Sequence, residues 1–483
     1  MNSSVAEITS LSAARLCELI RRRALSPVEI MEAHLRRAEQ FNPALNAIIT
    51  FAPDALRQAR AAERLSMSDE LLPPLHGLPL TVKDTIATAG LRTTSGSRMR
   101  ANNIPNADAT AVARLRAAGA IIYGKTNASE LALDYSTDNP LCGRTNNPHD
   151  PELTPGGSSG GCAAAVGACL SPASLGSDLV GSIRIPAHLC GVAGLFPTPG
   201  RVPGAGHFPP IGGPFSMAAS LGPLARRVGD LAFLFNALAE KNDRHTMSSL
   251  NEFEQGEIEL RGLRAACYTH DGVVPVTGET KDTVESAAHA LERAGLEIIE
   301  ARPPGIEHAT KLWLALFSGA VRKIVRREYA GHEEDAGAAV RALLAREADV
   351  SASALEDYFE AWFERDRRRA ELLAWMRETP LLIAPVGAVA AFAHGARQVS
   401  VGDQQVSTFR AFSYAHACNV FGLPAASVPA GRTRDNLPIG VQIIGRPFQE
   451  RLVLAAARVV ETALGGWQSP PTLSLPSDGE NPL

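Results

Sequence analysis

The sequence predicts an α/β protein. Apolar runs of strand length alternate with helix-period segments along most of the chain. No internal repeat and no low-complexity linker separates them, so the elements belong to one large domain rather than to several small ones. The composition suits a large packed core: 483 residues, 45% hydrophobic and 20% charged, need no metal or disulfide staple.

In chain order, residues 10–41 carry two helices. The second begins at Ser26-Pro27-Val28-Glu29, which combines an N-cap, a first-turn proline and a capping-box glutamate. Asn46–Phe51 is a short strand, followed by an Ala/Arg-rich helix to about Leu65. Gly77–Asp84 reads as an apolar strand that ends on polar residues, Thr110–Ala118 as a helix stopped by Gly119, and Ala120–Tyr123 as a strand. From Asn139 to Gly213 the chain is dense in Gly, Pro, Ser and Asn. A loop of that length inside a compact domain is expected only where it builds a site. Residues 225–379 read as largely helical, with a strand at Leu263–Cys267. Leu381–Ala384, Ala425–Pro429 and Gly440–Ile444 are further strands, and Arg451–Leu464 a helix. The tail after Gly465 is polar and Pro-rich.

Several function classes are disfavoured. The net charge is −4, and the basic clusters at Arg21–Arg23 and Arg367–Arg369 lack interleaved aromatics, so they read as solvated helix faces. The seven cysteines have no C-x-x-C spacing, which argues for buried thiols and against a zinc site or a disulfide framework. The N-terminus lacks a basic stretch followed by an apolar run, and the most apolar stretch, Cys162–Leu175, is too short to span a bilayer. The expectation is a cytoplasmic protein with no metal, no cofactor, no nucleic-acid partner and no membrane partner.

Three segments match motifs that can carry chemistry. Gly119–Thr126 matches a phosphate-loop pattern formally, but its middle is itself a strand and Gly119 closes a helix, so Lys125 reads as structural. Gly156-Gly157-Ser158-Ser159-Gly160-Gly161 contains G-x-S-x-G twice and leads into a helical run, although no strand precedes it. Gly176–Pro186 places Ser182 after a glycine in a tight loop, where backbone N–H groups can serve an oxyanion.

With Gly77–Asp84, Gly124–Asn127, Thr154–Gly161 and Gly176–Pro186 in this order, the chain resembles the amidase signature family. Cys190–Leu195, Gly222–Arg226, Gly422–Pro424 and Pro438–Gln442 extend the likeness over most of residues 10–465. The resemblance implies a large mixed sheet covered by helices on both faces. It divides the domain into N-terminal helices (10–65), a catalytic core (66–240), a variable helical region (241–380), a C-terminal core part (381–465) and a tail (466–483). It also implies an amide C–N hydrolase in which Ser182 is the nucleophile, Ser158 a bridging serine on a cis peptide and Lys83 the base. The N–H groups of Leu179, Val180, Gly181 and Ser182 would form the oxyanion hole. Ser159, Ser177, Asp178 and Arg184 would brace the site, while Ala132, Leu133 and Asp134 would line the pocket. Phe208 and Trp313–Phe317 are weaker pocket candidates.

The residue chemistry agrees with these roles. A serine hydroxyl needs a base within hydrogen-bond reach, and a lysine serves only if its pKa falls from about 10.4 toward neutrality. Burial at the end of the apolar strand Leu78–Val82 would do this, provided Asp84 and Asp178 bind backbone or Arg184 instead.

The sequence departs from the family at Val180, where a glycine is common, and at Phe196, where a lysine is usual. Three alternatives remain: the amidase-like subunit of a glutamyl-tRNA amidotransferase, a Ser–His–acid esterase using a histidine such as His188, and a binding protein that has lost turnover. Ile185-Pro186 and Ser216–Ser220 differ from the residues usual in that amidotransferase component, which favours a stand-alone amidase acting on a small-molecule amide, with a homodimer as the family expectation.

Overall fold

Eleven strands drawn from residues 48 to 445 form one mixed sheet, in a spatial order far from their order in the chain. A computed structural model of the protein describes residues 4–68, 70–239, 258–345 and 355–471. From one edge the strands run Ile48–Phe51, Ile121–Thr126, Pro79–Lys83, Ala173–Asp178, Ser220–Ala225 and Ala193–Phe196. They continue with Ala425–Arg432, Pro438–Gly445, Leu381–Pro385, Arg264–Cys267 and Glu297–Glu300. Pro79–Lys83 is parallel to both of its neighbours, whereas the pairs around Ser220–Ala225 and Pro438–Gly445 are antiparallel.

Helices cover both faces because alternate strand residues point to opposite sides. Ala265, Ile383, Ala426 and Ile443 join a core with the helices Ala13–Arg21, Pro27–Leu45, Val228–Leu238, Gly278–Arg293 and Glu450–Leu464. Their neighbours Ala266, Leu382, Ala425 and Ile444 join another, with Ala309–Glu328, Leu355–Trp375 and His416–Phe421. The capping box at Ser26 and Glu29 forms, with both side chains bonded to backbone.

The structure differs from the sequence reading chiefly in strands that glycine and serine disguise. Ala173–Asp178, Ala193–Phe196 and Ser220–Ala225 lie in or beside the stretch that reads as loop. All three are fully buried in mid-sheet. The glycines fit where backbones approach closely: a Cβ on Gly222 would lie 2.1 Å from Leu195 O. The predominantly helical part also contributes the edge strand Glu297–Glu300, and a separate hairpin forms from Gln398–Val401 with Gln404–Ser407. Of the Pro-rich tail, residues 472–483 lie outside the described residues, as do 241–257 and 346–354 of the variable region.

This order positions the site. Pro79–Lys83 and Ala173–Asp178 lie side by side and parallel, Val82 opposite Leu175, so Lys83, Ser177 and Asp178 emerge together at their C-terminal ends.

Candidate active site

Lys83 is the last residue of its strand and has no exposed surface. Its Nζ lies 2.6 Å from Ser158 Oγ, 2.9 Å from Ser177 Oγ and 3.4 Å from the Ser177 carbonyl oxygen. Burial disfavours the ammonium and brings its pKa from 10.5 down to about 7, against the opposing influence of Cys162 and Asp178. A substantial fraction of this lysine is therefore a free amine at neutral pH.

Ser158 enters from the glycine-rich turn. The Gly157–Ser158 peptide is cis, and the buried helix Gly160–Gly167 begins two residues later. Ser159 ties this turn to the opposite loop: its N–H donates to Ser182 O at 3.2 Å and its hydroxyl to Ser177 O at 3.1 Å. Ser182, 5% exposed, faces the same cleft as Ser158. Its hydroxyl has no hydrogen-bond partner among the described residues and is free to meet a ligand. Such contacts commonly tighten only in the substrate complex.

Asp178 shapes the loop between Ser177 and Ser182. Its carboxylate accepts from Gly181 N at 2.6 Å, Ile183 N at 3.2 Å and Arg184 Nε at 3.1 Å. Asn419 bonds both members of the pair, and Arg184 also reaches Gln442 and stacks over the Phe196 ring at 4.9 Å. Arg184 and these bonds hold Asp178 below the ordinary carboxylate range despite its burial. An aromatic at position 196 thus gives the buried guanidinium a cation–π partner. Asp84 also turns away, accepting from the Thr94 N–H and hydroxyl. Neither acid bonds Lys83.

The oxyanion expectation needs one correction. Gly181 adopts φ +105°, a conformation suited to glycine, and its N–H is already committed to Asp178. The N–H groups of Leu179, Val180 and Ser182 donate to nothing among the described residues. The carbonyls of the first two are held elsewhere: Leu179 O accepts from Trp313 Nε1 at 3.3 Å and Val180 O from Tyr135 OH at 2.8 Å. Val180 is outside the positive-φ region, so its branched side chain carries no left-handed strain.

The cleft measures about 540 Å³ including its solvent-open mouth, and its walls are mostly apolar. Leu131, Ala132 and Leu133 form one wall, Pro209, Pro210 and Ile211 another, and Val321, Ile324 and Val325 of the helix Ala309–Glu328 a third. Leu131 and Ala132 both have positive φ, at 51° and 60°. Asp134 does not join the lining; its carboxylate pairs with Arg397 Nη1 at 2.9 Å. Phe208 and Trp313–Phe317 are also absent from it. The Phe208 ring lies under the Arg100 guanidinium, and the residues of the Ala309–Glu328 helix that face the cleft lie C-terminal to Phe317.

His207 is the site residue that the sequence reading lacks. It lines the cleft, with Nδ1 2.6 Å from Pro209 O and Nε2 2.9 Å from Ser177 Oγ. Burial and the nearby Lys83 bring its pKa down to about 3; the ring is partly open to the cleft, so water moderates this shift without reversing it. A histidine between a glycine and Phe-Pro gives no sequence signal, because its partner is 30 residues away. His188, the triad candidate, is engaged by backbone at both nitrogens, accepting from Gly440 N at 2.7 Å and donating to Val389 O at 2.9 Å. Among the described residues, His332, Glu334 and Asp335 form a grouping of metal-ligand type, largely exposed and outside the cleft.

Known proteins resemble this chain in sequence and in fold. The family model described as Amidase matches residues 29–454. The chain belongs to the amidase signature family. It is accordingly an enzyme that hydrolyses amide C–N bonds other than peptide bonds.

A glutamyl-tRNA(Gln) amidotransferase subunit of Thermus thermophilus is 35% identical over 469 residues, 92% of this chain and 95% of that protein. The structure of 6-aminohexanoate cyclic dimer hydrolase complexed with substrate superposes with a TM-score of 0.85 at 27% identity, covering 97% of this chain and 100% of that one. A bacterial aryl acylamidase of the amidase signature family superposes with a TM-score of 0.81 at 27% identity, covering 95% and 96%.

These relatives correct the partner expectation. A small-molecule amide with no nucleic acid conflicts with relatives that are, by name, components of glutamyl-tRNA(Gln) amidotransferases. Net charge and the lack of a basic footprint speak only to what this chain contacts directly. They do not report what another chain would bring to it.

Proposed function

We propose that hydrolysis proceeds through an acyl-enzyme on Ser182, with Lys83 as base and Ser158 as the proton bridge. The observation that carries this reading is the 2.6 Å contact between Lys83 Nζ and Ser158 Oγ, in surroundings that disfavour the ammonium. Ser182 Oγ attacks the amide carbonyl as its proton passes to Ser158, and the Ser158 proton passes to Lys83. The free N–H groups of Leu179, Val180 and Ser182 meet the oxyanion that forms. The protons then return along the same path to the nitrogen. The C–N bond breaks, amine or ammonia leaves, and an ester on Ser182 remains. Water attacks this ester with the same base, releasing carboxylate and restoring the hydroxyl.

A second reading has specific support in the amidotransferase relatives. In an amidotransferase the same first step would release ammonia from a donor amide for use elsewhere. Both readings need the same acyl-enzyme.

The test is turnover of aryl amides, alkyl amides and glutamine, with acid-quenched samples read by intact mass and peptide mapping. The expected result is an acyl mass on the Ser182 peptide, absent from Ser182→Ala. Turnover surviving in Ser182→Ala would overturn the reading. Ammonia release from glutamine alone would select the amidotransferase form.

A further inference from the structure

From the contacts of the loop carrying cis Phe208–Pro209, we infer that His207 is a positioning residue that fixes the proton direction of Ser177 and so aims the Lys83 lone pair at Ser158. The inference rests on the serine–lysine reading above and extends it by one residue.

The contacts fix where each proton sits. Pro209 O can only accept, so at 2.6 Å the His207 Nδ1 carries the hydrogen. In a neutral ring Nε2 is then bare, and at 2.9 Å it accepts the hydroxyl proton of Ser177. Ser177 Oγ is thereby left with lone pairs toward Lys83, 2.9 Å away, and accepts one N–H of the amine. The Ser177 carbonyl, 3.4 Å away, also can only accept, and takes the other N–H. A neutral amine has two N–H groups and one lone pair. With both hydrogens placed, the lone pair remains for the Ser158 hydroxyl at 2.6 Å.

Without an acceptor at position 207, the Ser177 hydroxyl is free to turn and donate to Lys83. It would then compete with Ser158 for the one lone pair. His207 makes no bond to Ser182 or Ser158, so its effect passes through Ser177.

The experiment measures the rate at which an alkyl fluorophosphonate labels Ser182. In that reaction the serine oxygen bonds phosphorus, fluoride leaves, and the serine proton goes to the base. The rate therefore reports serine activation without a known substrate. His207→Phe keeps the ring bulk and lacks the acceptor; His207→Gln can place an amide oxygen near Nε2. Each is made in wild type and in Ser177→Ala, and each is checked by thermal melting.

His207→Phe should slow labelling by about 5- to 10-fold, the equivalent of one net hydrogen bond. In the Ser177→Ala background the same change should cost less than about 2-fold, because its intermediary is gone. His207→Gln should recover most of the rate. An unchanged rate in His207→Phe, an equal loss in both backgrounds, or no advantage of Gln over Phe would each overturn the inference. If His207→Phe fails to melt as wild type, the cycle is run with His207→Leu. Lys83→Ala separates the positioning role from the reading beneath it. If it labels as fast as wild type, the serine–lysine reading itself fails. If it is slow and His207→Phe is not, only the positioning role falls.

Discussion

Two lysines on neighbouring strands are both fully buried, and they differ in what each amine meets. Lys125 pairs in register with Val82, one residue from Lys83. Burial lowers the pKa of both, Lys125 to about 8 and Lys83 to about 7. Lys125 Nζ meets the Ile86 carbonyl and Thr88 Oγ1, and the Thr88 hydroxyl proton is itself given to Ile86 O at 3.2 Å. Both groups are then acceptors, and Asp84 adds a nearby negative charge. Such a cage suits an ammonium, or an amine whose lone pair has no proton to take. Lys83 meets one group of a different kind. The Ser158 hydroxyl can give a proton as well as accept one. Burial supplies the depressed pKa in both places, but of the two only Lys83 has the two-way partner that the proposed proton relay needs.

Removing each lysine should separate these roles most strongly. Lys83→Ala should lower amide turnover by about 10³-fold or more while the protein stays folded, since a general base contributes on the order of 10²–10⁴. Lys125→Met should retain turnover within about 10-fold but lose roughly 1–3 kcal/mol of stability in urea, because two buried hydrogen bonds, to Ile86 O and Thr88 Oγ1, are lost. Comparable activity losses in the two variants would erase the contrast.

Removing the two-way partner comes next. Ser158→Ala should lower kcat by about 10²-fold or more with KM nearly unchanged, the pattern of a group needed for proton transfer and not for binding. A change confined to KM would reassign Ser158 to the substrate pocket.

The difference in pKa should be visible in the pH profile. The base must be unprotonated, so kcat/KM should rise with pH through about 7 and level off above it. Stability carries the same signature. An unfolded lysine keeps its proton to about 10.4, whereas folded Lys83 releases it near 7. The unfolded state therefore binds more protons between those values, and stability rises with pH across the window. Urea melts of wild type against Lys83→Met from about pH 6 to 10 check this; wild type should gain on the variant as pH rises.

The smallest effect should come from Val180→Gly. Val180 has no positive-φ strain to relieve, so turnover should change by less than about 2-fold and stability should fall by about 0.5–1 kcal/mol. A large gain in rate would show that the valine obstructs the oxyanion site.

Much of the fold was legible where periodicity and capping agreed, as at Ser26–Glu29 and Pro79–Lys83. Ala173–Asp178 and Ser220–Ala225 were hidden because small residues in mid-sheet serve close packing, and their composition imitates a loop. In the candidate site, Lys83, Ser158, Ser177, Asp178, Ser182 and Arg184 were legible because each falls in a short motif, and the structure brings them together. What local sequence could not give was pairing across long separations. Asp134 meets Arg397, 263 residues on, and so is engaged outside the cleft. The commitment of Gly181 N–H to Asp178 is a matter of loop geometry, invisible until the turn is drawn. His207 and Asn419 reach their partners only through the folded sheet.

The most direct test of the central claim is the pH dependence of Ser182 labelling by an alkyl fluorophosphonate, in wild type and in Lys83→Ala. The serine–lysine account predicts a wild-type rate that climbs through a single ionisation near pH 7, and a Lys83→Ala rate that is low and lacks that step. The same step persisting in Lys83→Ala, or a label carried by a residue other than Ser182, would contradict it.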